Sequence, residues 1–459
     1  MSTLRLCARA AACLTALAAL LIAAPGARAQ VPTGAVAGRD YRPGEVVVRY
    51  ARGAGPAARA SVQRGTHVGS PKVFAPYTRV LHIRDGRSVP EAIAALRRRG
   101  DVVSATPNWI AHTSWIPNDP GRLSAPGGWA ALQWNLGAAA GVDAPDAWDN
   151  LLKDGRPGGS GVMVAVLDTG VAYSNRGRFH RSPDLSSKRF VKGYDFVDED
   201  PWPNDENGHG THVASTIAET ANNGIGAVGV AYGARIMPVR VLDRLGEGDT
   251  AAISSGIRYA AKHGAAVINL SFEFGTVVTR QEIPDILSAL RYAHSRGVLV
   301  VGAAGNGAEE AIAYPAKSSD VLSVGATTEH LCLADYSNSG SGLDLVAPGG
   351  GPDADFPDDP DCNPSVRRGR DIYQMTFTDS VHDFGLPGGY RGTSMAAPHA
   401  SAVAALVIAS GVLGPHPSPR AIEARLKTTA RDLGARGYDT RYGAGLVNAA
   451  AATAKSPGA

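Results

Sequence analysis

The stretch VMVAVLDTG, residues 162–170, is a run of small and branched apolar side chains that stops at an aspartate followed by Thr-Gly. An apolar run without polar alternation describes a strand buried on both faces, as in parallel sheets covered by helices. The pattern returns at ARIMPVRVL (234–242), AAVINLSF (265–272), VLVVGAAGN (298–306) and DVLSVGA (320–326). Helical patterns lie between several of them, notably at 250–263 and 281–296. This alternation predicts an α/β domain: a doubly wound, mostly parallel sheet with helices on both faces. In such sheets the chemistry gathers at the carboxyl ends of the strands, which is where Asp168 stands.

Upstream, residues 45–108 follow a different rhythm. EVVVRY (45–50), TRVLHIR (78–84) and DVVSATPN (101–108) read as strands, with a weaker one near 67–75. Helices are expected at 55–64 and at 88–100, where Ser88 and Glu91 form a capping box and Gly100 ends the pattern. The order βαββαβ predicts a small ferredoxin-like α+β unit. A polar, Pro/Gly-rich stretch (113–128) follows it.

The N-terminus reads as an export signal, residues 1–29. Arg5 and Arg9 precede an apolar run from Ala10 to Ala24, and ARA at 27–29 has the small-x-small form of a cleavage site. No later stretch is apolar enough to span a bilayer, so the mature protein is expected to be secreted and free of the membrane. Cys7 and Cys13 leave with the signal. Cys332 and Cys362 then remain as a single pair in an oxidising compartment, and a disulfide between them is expected. A net charge of +3 over 459 residues argues against a nucleic-acid partner.

Four motifs carry chemistry. Asp168 ends a strand. An aspartic peptidase is excluded, because that chemistry needs a second Asp-Thr-Gly or Asp-Ser-Gly and the chain has none. NGHGTHVAS (207–215) supplies His209 and His212; Gly208 and Gly210 leave the His209 ring open at a helix start, where a base can work. Asn306 ends VLVVGAAGN between Gly305 and Gly307. Ser394 lies in GTSMAAPH (392–399), at the mouth of a helix, with the smallest side chains around it. Thr393 or Ser394 reads there as a helix cap, Ser394 alternatively as a nucleophile whose neighbours leave room for substrate.

Taken together and in this order, the four motifs resemble those of the subtilisin-like serine peptidases, the subtilases. The resemblance implies a catalytic domain over 114–459 and an inhibitory propeptide over 30–113 that is cut loose near His112. It implies Ser394 as nucleophile, His209 as general base, Asp168 as the residue orienting the imidazole, and Asn306 as oxyanion donor. Polypeptides would be the substrates, and the propeptide an intramolecular inhibitor of a monomeric enzyme. NLSFEFG (269–275) looks like the strand that pairs with a bound peptide, which makes Ser271, Phe272, Glu273 and Gly305 substrate-binding residues. Many relatives carry Gly-Gly where this chain has Glu273 and Phe274.

Similarity to thermitase-like members implies structural calcium. Asp195, Asp200 and Asn204 would form one site; Asp119, Asp184 and Asn223 would form a second. Two other readings stand beside the peptidase. An esterase of the α/β-hydrolase type needs an apolar strand directly before the serine, and FGLPGGYR (384–391) is not one. An exported, catalytically silent binding protein on the same fold is the other.

Overall fold

Unbroken apolar runs become the parallel strands they predict. The computed structural model describes residues 41–110, 115–123, 126–364 and 368–455, so the signal segment and the expected cleavage point at His112 lie outside the described residues. The chain divides into two units, one ending at Thr113 and the other spanning Ser114–Ser456.

The first unit runs β1 (Tyr41–Tyr50), α1 (Pro56–Gly65), β2 (Val68–Ala75), β3 (Thr78–Ile83), α2 (Val89–Arg97) and β4 (Val102–Trp109). Its antiparallel sheet has the order β2-β3-β1-β4, the ferredoxin-like arrangement. At the start of α2 the Ser88 N–H and hydroxyl both donate to Glu91, which satisfies groups that a helix start otherwise leaves orphaned. Val46, Val48, Leu81, Ile93 and Leu96 fill the core between sheet and helices.

The second unit opens with α3 (Trp129–Leu132) and α4 (Ala144–Lys153), followed by β5 (Met163–Asp168) and β6 (Tyr194–Asp195). Next come α5 (His209–Ala218), β7 (Arg235–Arg240), α6 (Thr250–Lys262), β8 (Val267–Leu270), α7 (Pro284–Ser295), β9 (Leu299–Ala303) and β10 (Leu322–Thr327). After β11 (Leu345–Pro348), a hairpin β12 (Thr376–Phe377) and β13 (Phe384–Gly385) precedes α8 (Thr393–Ser410), α9 (Pro419–Thr428) and α10 (Ala449–Thr453). Seven parallel strands lie in the order β11-β10-β9-β8-β5-β7-β6. The chain builds to one side of β5 with β6 and β7 and to the other with β8 to β11. That switch opens a crevice at the strands' carboxyl ends. Alternation along β5 sends Val164 and Val166 into the core under α4, α5 and α8, and Ala165 and Leu167 into the core under α6 and α7.

Three features depart from the sequence reading. Strands β6 and β11 carry too few residues to stand out as periodic runs. Helix α8 is capped by Gly392, and neither Thr393 nor Ser394 caps it through its side chain. Composition alone also understates α8: it is long and apolar enough to cross a membrane, yet 89% of that window is buried. Its small residues let α4, α9 and α10 pack on one side and β8 to β10 on the other, so it is the central core helix.

Cys332 and Cys362 are joined by a disulfide. It ties down the first part of the long segment after β11, where Thr328 and His330 also bond to Asp353 (2.5 and 2.7 Å) and Tyr442 to Asp359. The two cysteines are 30 positions apart. Closing a loop of that size restricts the unfolded chain by roughly 3.6 kcal/mol. The double variant Cys332→Ser, Cys362→Ser should therefore unfold at lower denaturant by about that free energy. An unchanged midpoint would show that the crosslink adds nothing to stability.

Candidate active site

Asp168 is the last residue of β5 and is fully buried. Its Oδ1 accepts from the Thr169 N–H (2.8 Å) and from Nδ1 of His209 (2.7 Å). That bond fixes the tautomer: Nδ1 carries the proton, and Nε2 is left as the acceptor. Burial by itself lowers the His209 pKa, but the charge and hydrogen bond of Asp168, with a contribution from Asp205, raise it above the ordinary 6.5.

The glycines beside His209 serve a different purpose from the one expected. A Cβ on Gly210 would stand 2.1 Å from the Gly170 carbonyl oxygen and 3.0 Å from the Asp168 Cβ. Gly210 is therefore what lets α5 touch the end of β5. Gly208 adopts a φ of +105°, open to glycine at no steric cost. Between them they place the ring; they do not merely uncover it.

Asp205 binds the same turn together. Its buried carboxylate accepts from the hydroxyls of Thr169 and Thr211 and from the N–H groups of Asn207, Gly208 and Thr211. Burial pushes its pKa up while these donors oppose the rise. The long segment before α8 braces the other side of α5. His212 Nε2 donates to the Ile372 carbonyl, Ser215 to the Met375 carbonyl, and Thr376 to the Gly208 carbonyl. His212 also stacks on Tyr390 at 4.2 Å, and burial pushes its pKa down to about 3. It is a neutral core histidine, so the pair His209/His212 is no metal site.

Across the crevice, Asn306 follows β9 and Ser271 follows β8. Asn306 Oδ1 accepts from the N–H (2.8 Å) and hydroxyl (3.0 Å) of Thr393. With its oxygen held, the amide can only present its NH₂ elsewhere. Ser271 is buried and its hydroxyl donates to the Ser394 carbonyl (2.7 Å), so it supports the helix mouth from beneath. From Gly392 to His399, Ser394 alone is not buried. Its hydroxyl has no hydrogen-bond partner among the described residues, so the His209–Ser394 contact is the one link left open; catalytic bonds of this kind commonly tighten only around substrate. Phe272 and Phe274 pack against the α6–α7 core, which turns Glu273 between them towards the crevice.

The two expected calcium sets differ. Asp195 is already matched by a cation, because Arg240 donates to Asp195 (2.8 Å) and Asp198 (2.6 Å). Asn204 instead pairs with Ser174, and Asp200 accepts from the Trp202 N–H. That set does not fit a metal. Asp119, Asp184 and Asn223 do converge: Asn223 donates to Asp184 (2.7 Å), and the Asn222 and Asn223 N–H groups donate to Asp119. Glu219, unforeseen in the sequence, joins them. Burial raises the pKa of Asp184 to about 7 and that of Glu219 well above its usual range, and Glu219 Oε2 has no partner. These are oxygen donors of the kind calcium takes, and no lysine or arginine pairs with them among the described residues.

The geometry has counterparts among known proteins. Residues 159–445 match the Subtilase family, and residues 27–108 match the Fervidolysin N-terminal prodomain. The chain belongs to the subtilase family. It is 39% identical over 312 residues to Subtilisin Savinase of Lederbergia lenta, covering 68% of this chain and 96% of that protein. Thermitase of Thermoactinomyces vulgaris is 36% identical over 308 residues, 67% of this chain and 92% of thermitase. A solved protease structure from Pseudoalteromonas arctica PAMC 21717 superposes with a TM-score of 0.59 at 31% identity, over 74% of this chain and 99% of that one. This subtilase is a serine endopeptidase built as a precursor with a prodomain.

Some residues that shape the site escape sequence reading. Thr393, Asp205, Glu219 and the Asn269–Ser401 pair beneath Ser271 act through hydrogen bonds to distant segments. Two of them had a local signal: Thr393 its adjacency to Ser394, and Asp205 its place among the carboxylates of the loop before His209.

The raised His209 pKa has a kinetic consequence. Only the neutral imidazole accepts a proton, so activity is present above that pKa and lost as pH falls through it. The acid limb of kcat/KM should lie above pH 6.5. Asp168→Asn should move it downward and reduce kcat by ~10⁴-fold. A wild-type limb at or below 6.5 would contradict the assignment.

Proposed function

We propose that this chain is the precursor of a secreted endopeptidase that frees itself from residues 30–113 and cleaves polypeptides through an acyl-enzyme on Ser394. The observation that carries the reading is the tie between Thr393 and Asn306. It orients the amide beside the single accessible hydroxyl at the mouth of α8. Ser394 Oγ attacks the scissile carbonyl while His209 Nε2 takes its proton, and Asp168 holds the imidazole and favours its cation. Asn306 Nδ2 and the Ser394 N–H, one of the free donors of the first helical turn, hold the oxyanion. His209 then gives the proton to the leaving amine, and water releases the acyl group by the same steps.

The first unit supports the maturation reading because it is a closed α+β body with its own core. Its ordered surface makes it suited to inhibit the enzyme until it is degraded, since less conformational freedom is lost on binding. Ser394→Ala should accumulate with the propeptide covalently attached. Intact-mass measurement and an active-serine probe on wild type and variant test this together. Trimming of the variant near residue 113 as efficient as that of wild type would assign maturation to another protease.

Asp119, Asp184 and Asn223, with Glu219 beside them, would hold a structural calcium, which supplies the positive charge that these buried carboxylates lack. The chain segment at Asp119 would thereby be fastened to the loop after α5. Chelation should lower the melting temperature, and calcium at about 100 times its Kd should restore roughly 2.7 kcal/mol. A transition insensitive to verified metal removal would refute the site.

A further inference from the structure

Two carboxylates flank the oxyanion asparagine. Glu273 Oε1 accepts from the Asn306 backbone N–H at 3.1 Å, and its Oε2 lies over Gly305, 2.4 Å from where a Cβ would be. On the other side Glu309 Oε1 lies over Gly307, 2.9 Å from a Cβ there, with Thr276 donating to its Oε2 (2.5 Å). Gly305 has two reasons to be glycine: its φ is +120°, and a side chain would displace Glu273 as well as Asn338, 2.2 Å away. The remaining charge acting on Glu273 is that of Glu309, and no ion pair to a lysine or arginine engages either acid among the described residues. Glu273 is exposed to the crevice.

We infer that Glu273 makes this peptidase select polypeptides with lysine or arginine as the residue that donates the scissile carbonyl. The inference rests on the reading of Ser394 as nucleophile and Asn306 as oxyanion donor. The α-carbon of that residue is one covalent bond from the reacting carbon. Its side chain therefore starts beside Asn306, within reach of an acid bonded to Asn306. An unneutralised carboxylate there opposes the negative charge that develops on the oxyanion. A substrate cation that pairs with Glu273 removes this opposition as well as gaining an ion pair. The selection therefore acts on the transition state and on binding alike. Partial enclosure raises the Glu273 pKa, while the Asn306 N–H groups favour its charged form.

The test uses enzyme purified from expression of the full chain and three matched peptides with Arg, Leu or Glu as that residue. The expected order of kcat/KM is Arg, then Leu, then Glu, with Arg ahead of Leu by about tenfold or more, the scale of one ion pair in a partly enclosed cleft. Glu273→Gln keeps the size and the acceptor for the Asn306 N–H and removes the charge. It should cut the Arg/Leu ratio about tenfold, lowering the rate on the Arg peptide and raising it on the Leu peptide. Labelling of the variant by an active-serine probe shows that its site is assembled. A wild-type ratio at or below one, or a ratio unchanged in Glu273→Gln, overturns the inference while leaving the peptidase intact. No labelling and no hydrolysis of any peptide by wild type would overturn the peptidase reading itself.

Discussion

The first turn of α5 lies so close to the end of β5 that residue 210 can carry no side chain, since the Gly170 carbonyl occupies the place of its Cβ. That approach brings His209 Nδ1 onto Asp168, and much of the surrounding architecture holds it in place. Asp205 gathers five donors from the two segments that meet there, and the stretch from Ile372 to Thr376 hydrogen-bonds the far side of the helix. A contact this short is tolerated because most of the polar groups it buries find a partner nearby; Asp168 Oδ2 and His212 Nδ1 are exceptions among the described residues.

The second half of the site depends on a similar economy of small groups. Gly392, with φ of +149°, swings the chain into α8 so that Thr393 faces Asn306 and Ser394 faces the crevice. Alanines behind it let α8 run through the centre of the unit, where a larger helix would push the sheet away. The Ser394 hydroxyl is positioned by core packing as much as by hydrogen bonds. Buried histidines take part as neutral struts: His399 donates from Nδ1 to the Met395 carbonyl and meets Asn135 at Nε2, and burial pushes its pKa down to about 4.

Charge is distributed unevenly around this frame. Asp195 and Asp198 share the single guanidinium of Arg240, whereas Asp119, Asp184 and Glu219 are buried together and pair with no lysine or arginine among the described residues. Glu273 and Glu309 form a third acidic group, exposed and paired with no lysine or arginine among the described residues, and it is here that the inferred substrate cation would bind.

Local physics made much of this legible in the sequence. Uninterrupted apolar runs identify buried parallel strands, because a strand covered on both faces has no polar side; the capping box at Ser88 marks α2 for an equally local reason. The catalytic motifs could be read because each sits at a strand end or helix start, where the pattern changes. Tertiary structure alone decided the partners. That Gly210 serves Asp168, that Thr393 turns Asn306, that Ser271 supports Ser394 and that Glu219 joins Asp184 depends on segments tens to hundreds of residues apart. Arg240 shows the reason most plainly. Its place at the end of a buried strand is legible, but the carboxylates that compensate its charge are chosen by how β6 and β7 align, and side-chain periodicity carries no record of that register.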